Sequence, residues 1–251
     1  MLGKSIDRIL SAKLRSVRLS EESATGQAGW ETAGLPDTLT QVVLGLDNSP
    51  SMAANGGKRE MGDGLTLLGT ELDKDPALRN SIELAVWSFG QGAPTQMLTD
   101  FVPASRFSAP TFRDSHATWV YKLFRDSIAH LLERSRQLDE EFDCDARPGW
   151  VFVASDFQTA DLEFRDAALQ MKAAAAEHGL NVVLLGCGAR PDERVMHELG
   201  EPGRILRMQE VKSWREFFPW LVRSLRTASR SLPGRQVDLD PIFGHIVRAD
   251  V

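Results

Sequence analysis

The feature that most constrains this fold is an alternation along the chain. Short apolar runs are each followed by a stretch whose apolar residues recur every three or four positions. Val42-Val43-Leu44-Gly45-Leu46 is the first such run, followed by Met61, Leu65, Leu68 and Leu72 at helical spacing. Ile82 to Phe89, Trp150 to Ser155 and Asn181 to Leu185 repeat the pattern. A run apolar at every position suits a strand covered on both faces, as in parallel sheets. The intervening periodic segments read as helices: Val120, Leu123, Phe124, Ile128, Leu131 and Leu132 form one stripe, and residues 162–178 an Ala-rich one. A short helix near 191–199, a last strand near 204–208, and the stripe Val211, Trp214, Phe218, Leu221, Val222 and Leu225 complete the series. Gly90, Gly92 and Pro94 mark a turn, after which Gln96 to Val102 could return as an antiparallel edge strand. The predicted fold is therefore α/β, with a doubly wound, mostly parallel central sheet, helices on both faces and one antiparallel edge strand.

The 251 residues divide into an N-terminal segment over 1–39, an α/β domain over 40–231 and a tail over 232–251. Within 1–20, Leu2, Ile6, Ile9, Leu10, Leu14 and Val17 form an apolar stripe among Lys4, Arg8, Lys13, Arg15 and Arg18. That pattern fits a helix docked on its own domain, the favoured reading, or one lying on a membrane surface or partner. Residues 21–39, with Pro36, read as a linker. A net charge of −6 argues against nucleic acid as a partner, because such binding needs a basic surface. Cys144 and Cys187 form no metal or disulfide framework. No run approaches the ~20 apolar residues of a membrane span, and the first residues lack a signal-like stretch. The expected location is the cytoplasm.

Chemistry concentrates at the ends of two of the runs. The first ends in Asp47-Asn48-Ser49-Pro50-Ser51, which puts three oxygen-bearing side chains at alternate positions. The third ends in Ser155-Asp156. In open α/β sheets ligands sit beyond the carboxyl ends of the strands, where strand order reverses, so these groups are expected to converge. Two carboxylates and several hydroxyls, without sulfur or imidazole, suit a hard divalent cation: Mg²⁺ first, with Mn²⁺ or Ca²⁺ as alternatives. The carboxylates neutralise such an ion and leave coordination positions open.

Asp47-x-Ser49-x-Ser51 after an apolar strand resembles the metal-ion-dependent adhesion site of von Willebrand factor A (vWA) domains. The resemblance spans roughly residues 40–231. It implies a threonine ligand from the loop before a long helix, matched by Thr118 in His116-Ala117-Thr118, where the family usually has Gly-Gly-Thr. It also implies an aspartate after a later strand, matched by Asp156 in Asp156-Phe157-Gln158-Thr159-Ala160-Asp161, with Phe157 standing where the family has glycine. Arg147-Pro148, Phe217-Phe218-x-Trp220-Leu221 and Ser229-x-Ser231 are similar to the bacterial tellurium-resistance Y-type subgroup. The resemblance implies a module that binds a divalent metal at Asp47, Ser49, Ser51, Thr118 and Asp156. A protein partner would offer Asp or Glu to the metal, in a stress-response or signalling complex.

Two other readings compete. Asp47, Ser49 and Asp156 could each cap a turn or helix, but capping leaves the convergence of all five residues unexplained. A strand-end aspartate also serves Mg²⁺-dependent phosphoryl-transfer enzymes of haloacid-dehalogenase-like type. Those need a second aspartate two residues on as acid and base, and Ser49 stands there. No Gly-x-Ser-x-Gly elbow or phosphate-binding glycine loop is present. The expectation is a binding module and not an enzyme. His116 could serve as a metal ligand, but a lone loop histidine is more often solvent-exposed; His130, His178, His197 and His245 share no spacing and receive no role, and Trp87, Trp119, Trp150, Trp214 and Trp220 mostly read as core.

Overall fold

The apolar run at 42–46 becomes the middle of the sheet. The computed structural model describes residues 38–53, 57–89, 94–113, 117–141, 144–208, 214–230 and 246–248. Strand β1 (Thr38–Leu46) pairs in parallel with β2 (Ile82–Phe89) on one side and β4 (Asp145–Ser155) on the other. The antiparallel β3 (Thr95–Pro103) flanks β2, while β5 (Asn181–Gly186) and β6 (Ile205–Met208) continue in parallel beyond β4. A short β7 (Ile246–Arg248) then closes the far edge antiparallel to β6, giving seven strands in the order β3-β2-β1-β4-β5-β6-β7. The doubly wound, mostly parallel sheet and the antiparallel edge at β3 match the expectation. β7 is a second antiparallel edge inside the stretch expected to be tail; three residues are too few to show a period in sequence.

Because successive side chains alternate across a strand, each central strand feeds two cores. Val42, Leu44 and Leu46, with Phe152 and Leu185, pack under α2 (Gly57–Asp73) and α6 (Trp214–Arg230). Val43, Val151, Val153 and Leu184 pack under α3 (Val120–Glu141), α4 (Arg165–Glu177) and α5 (Glu193–Leu199). A brief helical turn, α1 (Pro50–Ala53), follows β1. Trp87, Trp150, Trp214 and Trp220 are buried as expected, whereas Trp119 is half-buried and meets Phe164 edge-on. Glu83, the acid inside the second apolar run, is fully buried and takes both guanidinium arms of Arg134 at 2.8 and 2.9 Å. Such bidentate pairing is what lets a charge sit inside a sheet core.

Close helix packing rests on Gly64. A methyl group there would lie 2.5 Å from the Phe218 ring, so only glycine lets α2 and α6 approach to this depth. β1 begins at Thr38, two residues ahead of the expected domain start. The amphipathic segment 1–20, most of the linker, His116, His245 and Val211 lie outside the described residues.

Candidate metal centre

β1 and β4 are neighbours, yet the chain leaves β1 toward β2 and β4 toward β5, in opposite directions across the sheet. The crevice beyond their carboxyl ends is the switch point where α/β sheets bind ligands. Asp47 follows β1 and Asp156 follows β4. The Asp47 N–H donates to the Ala154 carbonyl at 2.9 Å, which extends the β1–β4 pairing into the loops.

Four of the five expected residues form one hydrogen-bonded chain. Asp47 Oδ1 accepts from the Ser49 N–H at 2.7 Å. The Ser49 and Ser51 hydroxyls lie 3.0 Å apart. The Ser51 hydroxyl donates to Asp156 Oδ2 at 2.6 Å, and Asp156 Oδ1 accepts from the Gln158 N–H at 3.0 Å. Asp47 and Ser49 are fully buried, Asp156 nearly so, and Ser51 sits exposed at the rim. Burial raises the Asp47 carboxyl to about 6, against the hydrogen bonds from Ser155 and Ser49 that favour its charge; the negative Asp156 pushes the same way as burial.

Thr118, the fifth, arrives by a different route. It is half-buried, and its carbonyl accepts from the Thr159 hydroxyl at 3.2 Å, so the structure ties it to the loop after β4 and not to the hydrogen-bonded chain itself. That loop also builds the start of α3. The Val120 N–H donates to Thr159 Oγ1 at 3.2 Å, and the Tyr121 and Lys122 N–H groups donate to Asp161 at 3.3 and 2.9 Å. Helix N–H groups without an internal partner are thereby satisfied from across the site. Phe157, where the resembled family has glycine, takes φ +57°, the one positive φ among the described non-glycine residues. Its ring is fully buried, which holds the residue in this conformation.

Three participants were not singled out from sequence. Ser155 donates its hydroxyl proton to Asp47 Oδ2 at 2.5 Å and accepts from the Phe157 N–H at 2.9 Å, so it fixes both the carboxylate and the turn. Asn48 donates to the carbonyls of Phe89 and Arg113 at 3.3 and 2.6 Å. Cys187 lies beneath, its N–H bonded to the Ser155 carbonyl at 2.8 Å; burial first, then the charges of Asp47 and Asp156, push its thiol well above the ordinary range. Ser155 and Asn48 had only adjacency to the two aspartates as a signal.

The donor set fits a hydrated divalent cation in two respects. Asp47 is a buried carboxylate with no cationic side chain among the causes that set its protonation. Asn48 Oδ1, beside it, is buried without a hydrogen-bond partner, an acceptor that a metal-bound water could satisfy. Among the described residues no three His, Cys, Asp or Glu cluster together. A cation here would rely on two carboxylates and neutral hydroxyls, a set for a hard ion that keeps several waters.

No family model and no curated protein matches the sequence. Solved structures do match the fold. The pilus adhesin SpaC from Lactobacillus rhamnosus GG superposes with a TM-score of 0.60 at 12% identity, over 78% of this chain and 31% of that one. The vWF domain of the type V pili tip protein Mfa5 from Porphyromonas gingivalis gives 0.54 at 8% identity, over 80% and 99%. Proximal thread matrix protein 1 from the mussel byssus gives 0.53 at 14% identity, over 77% and 49%. The chain thus spans under a third of the length of SpaC. At these identities the likeness is one of fold: the chain has the architecture of a vWA domain.

Proposed function

We propose that this chain is a metal-dependent protein–protein interaction module and has no catalytic activity of its own. Asp47, Ser49, Ser51, Thr118 and Asp156 would hold one divalent cation, Mg²⁺ before Mn²⁺ or Ca²⁺. The ion would supply an electrophilic position for an Asp or Glu of the partner. The observation that carries the reading is the continuous chain Asp47–Ser49–Ser51–Asp156 at the sheet's switch point. Two aspartates balance the ion's charge, and neutral hydroxyls leave it able to accept one more anionic oxygen. Ser49 in place of a second aspartate speaks against phosphoryl transfer, because a serine hydroxyl is too weak an acid and base for that step. The sequence carries no cysteine framework, which suits a reducing, cytoplasmic setting, and a bacterial stress-response or signalling complex is the context proposed from the sequence resemblance.

The test is thermal. With ligand at about 100 times its dissociation constant, binding adds about 2.7 kcal/mol of stability, so millimolar Mg²⁺ or Mn²⁺ should raise Tm relative to chelator. Asp47→Ala should erase most of that rise; a variant that keeps all of it removes Asp47 from the site. A phosphomonoesterase activity lost in Asp47→Asn would overturn the non-enzymatic reading.

A further inference from the structure

Two exposed arginines border the site, each with its backbone carbonyl held by a side chain from a loop that carries a proposed metal ligand. The Arg113 carbonyl accepts from the side chain of Asn48, which lies between Asp47 and Ser49 and also bonds Phe89 at the end of β2. The Arg190 carbonyl accepts from Gln158 Nε2 at 2.9 Å, and the Gln158 N–H in turn donates to Asp156. Arg113 therefore stands on the β2 side of the crevice and Arg190, on the loop after β5, on the opposite side. Several other arginines are committed elsewhere: Arg125 to Asp126, Arg165 to Glu198 and Arg207 to Glu193. Neither Arg113 nor Arg190 has an ion pair among the described residues.

We infer that Arg113 and Arg190 form a basic rim that selects an acidic segment carrying several carboxylates. The inference rests on the metal-dependent docking proposed above and specifies the partner's chemistry. A divalent ion balanced by Asp47 and Asp156 exerts little net attraction at a distance, and the chain's overall charge of −6 repels an acidic partner. The guanidinium groups of Arg113 and Arg190 would supply local positive charge at the mouth, which also holds Asp192, whose N–H donates to the Asp156 carbonyl. One carboxylate would reach the metal while its neighbours along the segment meet the two guanidinium groups, whose planar donor forks match carboxylate geometry. Exposed pairs of this kind are individually weak and screened by salt, so they tune which partner is accepted more than whether the metal is used.

The test uses the full chain in excess Mg²⁺ and two eight-residue peptides, one with four glutamates and one with three of these changed to glutamine. Calorimetry should show the four-glutamate peptide binding more tightly, with the difference shrinking as salt rises. Arg113→Gln and Arg190→Gln should each weaken that peptide about fivefold and leave the one-glutamate peptide unaffected. Both variants should keep the wild-type rise in Tm with Mg²⁺. If that rise is intact but the peptides bind alike, fail to bind, or ignore the arginine substitutions, the rim is refuted and the metal site stands. If wild type shows no rise in Tm with metal, the metal reading fails and this inference falls with it.

Discussion

The Ser51 hydroxyl donates to Asp156 Oδ2 at 2.6 Å, joining residues 105 positions apart and locking the loop after β1 to the loop after β4. The bond is charge-assisted but lies at the exposed rim, so its net worth to folding is about 0.5–1.5 kcal/mol. Its larger consequence is to hold two oxygens of the proposed coordination shell in mutual register. Ser51→Ala should therefore lower the metal-free Tm by only a few degrees and weaken Mg²⁺ binding about tenfold or more. Calorimetric titration of Mg²⁺ into both proteins decides the matter: equal affinities would take Ser51 out of the ligand set.

Without a cation beside it, Asp47 is a stability liability. Its carboxyl is raised from 3.8 to about 6 by burial, so the folded state holds the proton more tightly than the unfolded state. As pH rises from about 4 to about 6 the unfolded chain releases this proton first, and metal-free stability falls by up to about 3 kcal/mol from this group. Above pH 6 both states are ionised and the contribution levels off. Asp47→Asn should raise metal-free stability at pH 7 and abolish the stabilisation by Mg²⁺, which in wild type should weaken as pH falls through 6. Denaturant titrations at pH 5 and 7, with and without Mg²⁺, measure all three effects.

The sheet and the convergence of Asp47, Ser49, Ser51 and Asp156 were legible because they depend on local signals that survive folding. Short apolar runs rich in β-branched residues between helical stripes point to covered strands, and an aspartate one step beyond such a strand sits at its carboxyl end. Ser155 was not legible as a site residue, because nothing at a strand end tells whether a serine points into the sheet or across to Asp47. Its role depends on the β1–β4 pairing, which brings residues 108 positions apart within hydrogen-bond reach. Thr118 marks the other limit. Its position was read from family resemblance, but what places it, the Thr159–Asp161 loop, acts across the site through backbone groups that carry no pattern in sequence.

Phe157 offers a reversal of the usual order of substitutions. Its φ of +57° costs a side-chain-bearing residue about 1 kcal/mol or more, and its buried ring outweighs that. Removing the ring should destabilise by about 3–5 kcal/mol. Phe157→Gly relieves the strain, whereas Phe157→Ala does not, so the glycine variant should be the more stable of the two by about 1 kcal/mol. Urea unfolding of both variants tests this. An alanine variant as stable as the glycine one would mean the turn is not held under strain.

Gly64 should tolerate nothing larger. A methyl group 2.5 Å from the Phe218 ring forces α2 and α6 apart, and overpacking of this kind costs about 1–3 kcal/mol. Gly64→Ala should lower Tm with the Mg²⁺-dependent rise retained, since the contact lies in the core away from the switch point. Combining it with Phe218→Leu should recover part of the loss. If the double variant is no better than the single one, the clash lies elsewhere.

Asp161 links helix capping to the proposed metal site without being a proposed ligand. Its carboxylate accepts from the Tyr121 and Lys122 N–H groups in the first turn of α3, and burial lifts its carboxyl above the ordinary range. Thr159 stands against it and bonds both the Val120 N–H and the Thr118 carbonyl. A cap supplied from another segment does two things: it satisfies orphan donors and favours the positive end of the helix dipole, and it fixes where the chain enters the helix. Here that entry is Thr118. Asp161→Ala should therefore destabilise the protein by about 1–2 kcal/mol and also weaken Mg²⁺ binding, by releasing Thr118 from its position. Asp161→Asn keeps an acceptor and should restore most of the metal affinity. Thr118→Ala should weaken Mg²⁺ binding too, and adding Asp161→Ala to it should weaken it no further, because both act through the same hydroxyl. Full additivity in the double variant would show that Asp161 reaches the metal site by another path.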